Sequence, residues 1–166
     1  VIVDVRAYDN YDKTVPGILW VGEDTSFEQE LPAVADRTLD DGIVICVKDF
    51  CGYITGTNPR AALIAAYRFL RELGIRWVRP GGDGEIIPRK SLECCNVCIK
   101  ETPQRRHRGI CIEGAIAYEH VYNMIDWLPK VGMNAYFFQF IEPHNFFDRW
   151  YSHKENPYIP PVPYTY

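Results

Sequence analysis

The run Gly109-Ile110-Cys111-Ile112-Glu113 is short, apolar and closed by a carboxylate, and Asn134-Ala135-Tyr136-Phe137-Phe138-Gln139-Phe140 is a second run of buried-strand character. Between them, residues 119–130 place Val121, Met124, Ile125 and Leu128 at helical spacing. Pro129 should distort the last helical turn and Gly132 should end it. Strand, helix and strand in that order predict a βαβ unit with parallel strands and a right-handed crossover.

Upstream the pattern is different. Asn58-Pro59 marks a helix start, because Asn caps free N–H groups and Pro is tolerated where its missing donor costs nothing. Ala62, Ala66, Phe69, Leu70 and Leu73 then recur at helical spacing, and Gly74 suits the left-handed position that closes a helix. Ahead of this helix, Ile43-Val44-Ile45-Cys46-Val47 reads as a strand after the turn Asp40-Asp41-Gly42, with Cys51-Gly52-Tyr53-Ile54-Thr55 pairing beside it. Residues 1–6, 17–22, 75–78 and 92–99 read as further strands, and residues 25–30 as a short helix. Gln104-Arg105-Arg106-His107-Arg108 reads as a solvated connector, so the boundary falls near residues 100–106. The expected architecture is α+β: a small sheet-and-helix domain over residues 1–103, then a parallel βαβ unit over 104–166.

Composition narrows the function. Of 166 residues, 47% are hydrophobic and 14% aromatic, enough for a real core. A net charge of −4 gives no electrostatic footprint for nucleic acid or an anionic membrane, and no apolar run reaches the ~18 residues of a spanning helix. The expected partner is therefore neither nucleic acid nor membrane. A start at Val1 and a Pro-rich close at Tyr166 suggest a piece of something longer.

Six cysteines in a chain this rich in core residues are expected to be free, buried thiols. Cys95-Asn96-Val97-Cys98 has metal-binding spacing, but a structural zinc site wants four ligands, and in a strand these two cysteines would point to opposite faces. Gly81, Gly82 and Gly84 invite a phosphate-loop reading, yet the Lys-Ser/Thr of that motif is missing, so an ordinary turn is expected and no cofactor.

The sequence Arg108-Gly109-Ile110-Cys111-Ile112-Glu113-Gly114, followed by a helix and Gly132-Met133-Asn134-Ala135-Tyr136, resembles the first strand, first helix and second strand of the (β/α)₈ barrel in glycoside hydrolases of the β-N-acetylglucosaminidase kind. Family 84 is nearest, with its Asp-Arg-Trp matched by Asp148-Arg149-Trp150; the hexosaminidases of family 20 and α-glucuronidases of family 67 are similar in architecture. Gly52-Tyr53-Ile54-Thr55-Gly56, Arg60-Ala61-Ala62-Leu63 and Trp77-Val78-Arg79-Pro80-Gly81 resemble the α/β domain that precedes the barrel in these enzymes. This chain departs from family 84 where that family carries a Lys beyond the second strand: Ile141 stands there, followed by Glu142.

The resemblance implies a fragment of a glycoside hydrolase acting on an N-acetylhexosaminide or uronide. A barrel takes ~250 residues, whereas residues 107–166 supply sixty positions. The catalytic carboxyls of families 20 and 84 lie on or after the fourth strand, so none is expected here and the chain alone should be inactive. The implied substrate contacts are Arg108, Glu113, Glu142, His144 and Trp150, since barrel sites gather at the carboxyl ends of the strands. A carboxylate paired with Arg108 or another rim charge is the plain alternative for Glu113, and an exposed loop that for Glu142 and His144. An incomplete barrel would leave an open, aromatic-rich edge and invite homo-oligomers. Two other classes remain open: a non-catalytic carbohydrate-binding or scaffold domain, and an α/β protein whose CxxC holds a metal.

Overall fold

In a computed structural model, residues 5–7, 9, 11–12, 17–49, 51–89, 95–113 and 118–139 are described. The chain is α+β, with a four-stranded mixed sheet, a two-stranded antiparallel sheet, a two-stranded parallel sheet and two α-helices among these residues. In chain order the elements are β1 (Leu19–Val21), β2 (Ile43–Lys48), β3 (Cys51–Gly56), α1 (Pro59–Glu72), β4 (Arg76–Trp77), β5 (Glu85–Ile86), β6 (Asn96–Glu101), β7 (Gly109–Glu113), α2 (Tyr118–Lys130) and β8 (Ala135–Gln139).

The main sheet has the order β1-β3-β2-β6. β-Branched residues dominate β2, and its alternation sends Ile43, Ile45 and Val47 to one buried face while Cys46 and Lys48 stay exposed. A two-residue loop links Lys48 to its partner Cys51, with Asp49 in the left-handed region at φ 49. β6 pairs antiparallel with the whole length of β2, from Lys48 opposite Asn96 to Ile43 opposite Glu101. That pairing carries the strand to Glu101, two residues past the end of the apolar pattern at 92–99, and starts it at Asn96; residues 92–94 lie outside the described set.

Helix α1 lies across the buried face. Asn58 Oδ1 accepts from Ala61 N at 2.8 Å, Pro59 takes the first position, and Gly74 at φ 99 follows the C-cap, all as the sequence predicts. Ala61, Ala65 and Phe69 join Ile43, Ile45, Val47, Ile54 and Cys95 in the core, with Ala66, Leu70 and Leu73 packed at its margin. A large aliphatic or aromatic side chain buried in this way stabilises by about 1.5–3 kcal/mol. Helix and sheet meet closely at Gly56, where a Cβ would come within 2.6 Å of Ala61.

The opposite face of the sheet is half covered. Phe27 stacks on Tyr53 at 4.2 Å, and Tyr11 packs on Phe27, Tyr53 and Trp20. Phe27 belongs to a 3₁₀ turn, Thr25–Phe27, held by Asp24 accepting from Ser26 N; the helix expected over 25–30 is only this turn. The strand expected over residues 1–6 falls partly outside the described residues, and residues 5–7 form no strand.

The small antiparallel sheet of β4 and β5 carries Trp77 into the contact between α1 and α2. Its ring meets Tyr67 edge-on at 5.2 Å, its Nε1 donates to Glu85 at 2.6 Å, and its carbonyl accepts from Trp127 Nε1 at 2.9 Å. The glycine-rich stretch before β5 is a 3₁₀ turn, Gly82–Gly84, leading into a strand rather than a helix.

β7 and β8 pair in parallel, Gly109 opposite Ala135 through Glu113 opposite Gln139, with α2 as the connection. Gly109 is required here: a Cβ would sit 2.0 Å from the carbonyl oxygen of Ala135. α2 buries Val121, Met124 and Leu128, whereas Ile125 falls at the edge of that stripe and is exposed. Pro129 stands in the last turn, and Gly132 at φ 83 ends the helix.

Candidate functional site

The two ends of the parallel pair have different chemistry. At the carboxyl end, Glu113 closes β7 opposite Gln139 of β8. Arg108 precedes the same strand, about 16 Å away at 3.3 Å per residue, so it stands at the amino end. Of the other sequence-predicted contacts, Glu142, His144 and Trp150 lie outside the described residues.

The amino end is built around Asp41, which is only 1% exposed. Its Oδ1 accepts from Arg60 Nε at 2.8 Å, and its Oδ2 accepts from an Arg108 amino group at 2.9 Å and from Asn134 Nδ2 at 2.6 Å. Burial pushes the Asp41 carboxyl up, but the hydrogen bonds from Arg60, Arg108 and Asn134 outweigh it and hold the group below its ordinary range. Asn134 also accepts from Arg108 N at 2.9 Å and donates to the carbonyl of Arg106 at 2.8 Å. Arg108 Nε donates to the Gly132 carbonyl at 2.9 Å. Next to this knot, Arg106 pairs with Asp40 at 2.7 Å, which lowers the Asp40 carboxyl.

The stretch 104–108 is therefore no simple solvated connector: Arg106 and Arg108 bind the βαβ unit to Asp40 and Asp41 in the turn before β2, and Arg60 of α1 binds the same Asp41. Sequence reasoning saw Asp41 only as a turn marker and missed Arg60 and Arg106. The available signal is Asp40-Asp41-Gly42 leading into the apolar run Ile43–Val47, where a carboxylate is buried only with partners. Beside this knot opens a cavity of about 340 Å³ lined by Asp41, Arg68, Arg71, Glu101, Arg108 and Lys130. Arg68 pairs with Glu72 and Glu101, and Lys130 with Asp126, so most of its charge is internally compensated.

The five described cysteines are thiols rather than disulfides, and against the expected burial only Cys95 is buried. Cys46, Cys51, Cys98 and Cys111 are exposed because strand alternation places them on open faces. Buried Cys95 and exposed Cys98 face apart, and among the described residues no group of three or more His, Cys, Asp or Glu is placed to hold a metal ion. No helix among the described residues is long and apolar enough to cross a membrane. No protein-family model matches the chain, and no curated protein or solved structure gives a significant match.

Proposed function

We propose that this chain is the leading α/β domain and first βαβ unit of a glycoside hydrolase with a (β/α)₈ barrel, acting on an N-acetylhexosaminide or uronide. The observation that carries this reading is the in-register parallel pair β7 and β8 joined through α2, with the carboxylate residue Glu113 ending β7. Barrel enzymes draw their substrate contacts from the carboxyl ends of such strands, while the amino ends serve stability. In this reading Arg108, with its clamp of partners at the amino end, serves docking, and the sugar contacts rest with Glu113, Glu142, His144 and Trp150.

Glycoside hydrolysis needs two carboxyl groups about 5–9.5 Å apart across the scissile bond, or one with the substrate's own acetamido group. Two barrel strands do not furnish that arrangement, so this chain by itself binds or scaffolds without turnover. Phe137, 62% exposed on β8, belongs to the edge that further strands would cover, or that a second copy would.

Chromogenic N-acetylglucosaminides and glucuronides test the reading. The 166-residue chain should release no chromophore, while a polypeptide extended through the remaining strands in the same reading frame should, and Glu113→Gln should lower its kcat/KM at least about tenfold. Turnover by the 166-residue chain, or no turnover of either sugar class by the extended polypeptide, would overturn it.

A further inference from the structure

On the half-open face of the main sheet, one row of residues runs across all four strands. Trp20 lies opposite Tyr53, Tyr53 opposite Cys46, and Cys46 opposite Cys98. The aromatic cover from Tyr11 and Phe27 reaches the Trp20 and Tyr53 end, while Cys46 and Cys98 are both free and exposed. Directly opposed residues on antiparallel strands have Cα atoms about 4.5–5.5 Å apart, inside the 4.4–6.8 Å that a disulfide accepts. Cys51, the other thiol on this part of the sheet, pairs with Lys48. It is only a diagonal neighbour of Cys46, at about 7–8 Å, beyond comfortable bridging distance.

We propose that Cys46 and Cys98 are a modification site: a dithiol pair that closes to an intramolecular disulfide by exchange with a low-molecular-weight disulfide such as oxidised glutathione. One cysteine loses its proton to solvent, and its thiolate attacks a sulfur of glutathione disulfide. The S–S bond of the reagent breaks, one glutathione thiolate leaves, and a mixed disulfide remains on the protein. The second cysteine, deprotonated in turn, attacks the protein sulfur of that mixed disulfide and expels the second glutathione. In balance, two protein thiols are oxidised to one disulfide and one glutathione disulfide is reduced to two thiols. The bridge ties β6, at the edge of the sheet, to the inner strand β2. Exposure of both thiols gives the reagent access, and their opposition makes the second attack faster than capture of another glutathione.

The test incubates the native 166-residue chain with oxidised glutathione, quenches it with iodoacetamide, and reads intact mass and non-reduced peptides. The expected product joins the peptide of Cys46 to that of Cys98, about 2 Da lighter than the two reduced, unalkylated peptides together, with neither sulfur carrying glutathione or a carbamidomethyl group. Its melting temperature should rise by about 5–10 °C over the reduced chain and fall back on reduction, since the closed loop spans much of the first domain. Cys46→Ser should instead accumulate a stable glutathione adduct on Cys98, Cys98→Ser one on Cys46, and Cys51→Ser should close the bridge as the unmodified chain does. Peptide mapping of the unmodified chain decides the matter even if a Ser variant folds poorly. A bridge from Cys46 to Cys51, a bridge to any other cysteine, persistent glutathione on both sulfurs, or unreacted thiols would each overturn the proposal.

Discussion

Asn134 and Asp41, 93 residues apart in the chain, are joined by a 2.6 Å hydrogen bond from the Asn134 amide to the carboxylate of Asp41. Because Asn134 immediately precedes β8 and Asp41 lies in the turn before β2, this bond and the Arg108 pair beside it connect the parallel unit to the mixed sheet. A carboxylate 1% exposed with two arginines on it is destabilising to remove, since both guanidinium groups lose the charge they share.

Asp41→Asn keeps the shape and deletes the charge. A wholly buried pair broken in this way costs about 3–5 kcal/mol. The Arg60 side chain is 39% exposed and stays partly hydrated, so the expected loss is about 2–3 kcal/mol. Thermal unfolding followed by circular dichroism should show a melting temperature lower by roughly 5–10 °C. A shift of under about 2 °C would mean that the knot is not under load.

The same carboxylate makes the fold acid-sensitive. Asp41 is held below its ordinary value of 3.8 in the folded chain, so its contribution is complete above that value and disappears as pH falls through the lower folded one. Urea midpoints measured from pH 6 down to pH 2 should fall more steeply in the parent than in Asp41→Asn below about pH 4. Parallel profiles for the two proteins would assign the acid sensitivity elsewhere.

At high pH the sensitive group is Tyr53. Burial, with the nearby Cys46 adding to it, pushes the phenol up to about 12 from 10.0. The folded state therefore holds a proton that the unfolded state gives up, and stability is full below pH 10 and declines as pH rises toward 12. Tyrosinate absorbance should show a late-titrating component that shrinks in Tyr53→Phe, with the phenol of Tyr136, which burial also pushes up, remaining.

Gly109→Ala tests the closeness of the parallel pair. The added methyl would meet the Ala135 carbonyl oxygen at 2.0 Å, a backbone atom that has no rotamer to move into. Overpacking of this kind costs about 1–3 kcal/mol. Hydrogen exchange of β7 and β8 amides should accelerate while β2 and β3 amides stay protected; unchanged exchange at Ala135 would contradict the pairing.

Much of this architecture can be read from local signals, and the exceptions have physical causes. Asn58, Pro59 and Gly74 bracket α1 because capping and left-handed closure are properties of a few adjacent residues. The βαβ unit follows from two apolar runs around one amphipathic helix. The bounds of β6 do not, because its partner β2 sets them and 92–99 alone carries no register. The Asp41 knot was invisible for the same reason: its members come from four places in the chain, and charge in a sequence does not say which acid will be buried. Cysteine exposure departs from the expected burial because composition ignores which face of a strand each thiol occupies. At the proposed sugar-binding end only Glu113 can be traced to a strand, and its resemblance-based companions Glu142, His144 and Trp150 lie outside the described residues.

The Arg108 clamp bears on how this protein can be divided. Cutting at residue 103, the boundary that the sequence suggests, would strand Arg108 and Asn134 with donors pointed at an acceptor left on the other piece. A βαβ unit severed there gives up the carboxylate that Arg108 and Asn134 share, so a shortened polypeptide that keeps residues 40–42 in reach should hold β7 against β8 more firmly than one that begins at residue 104.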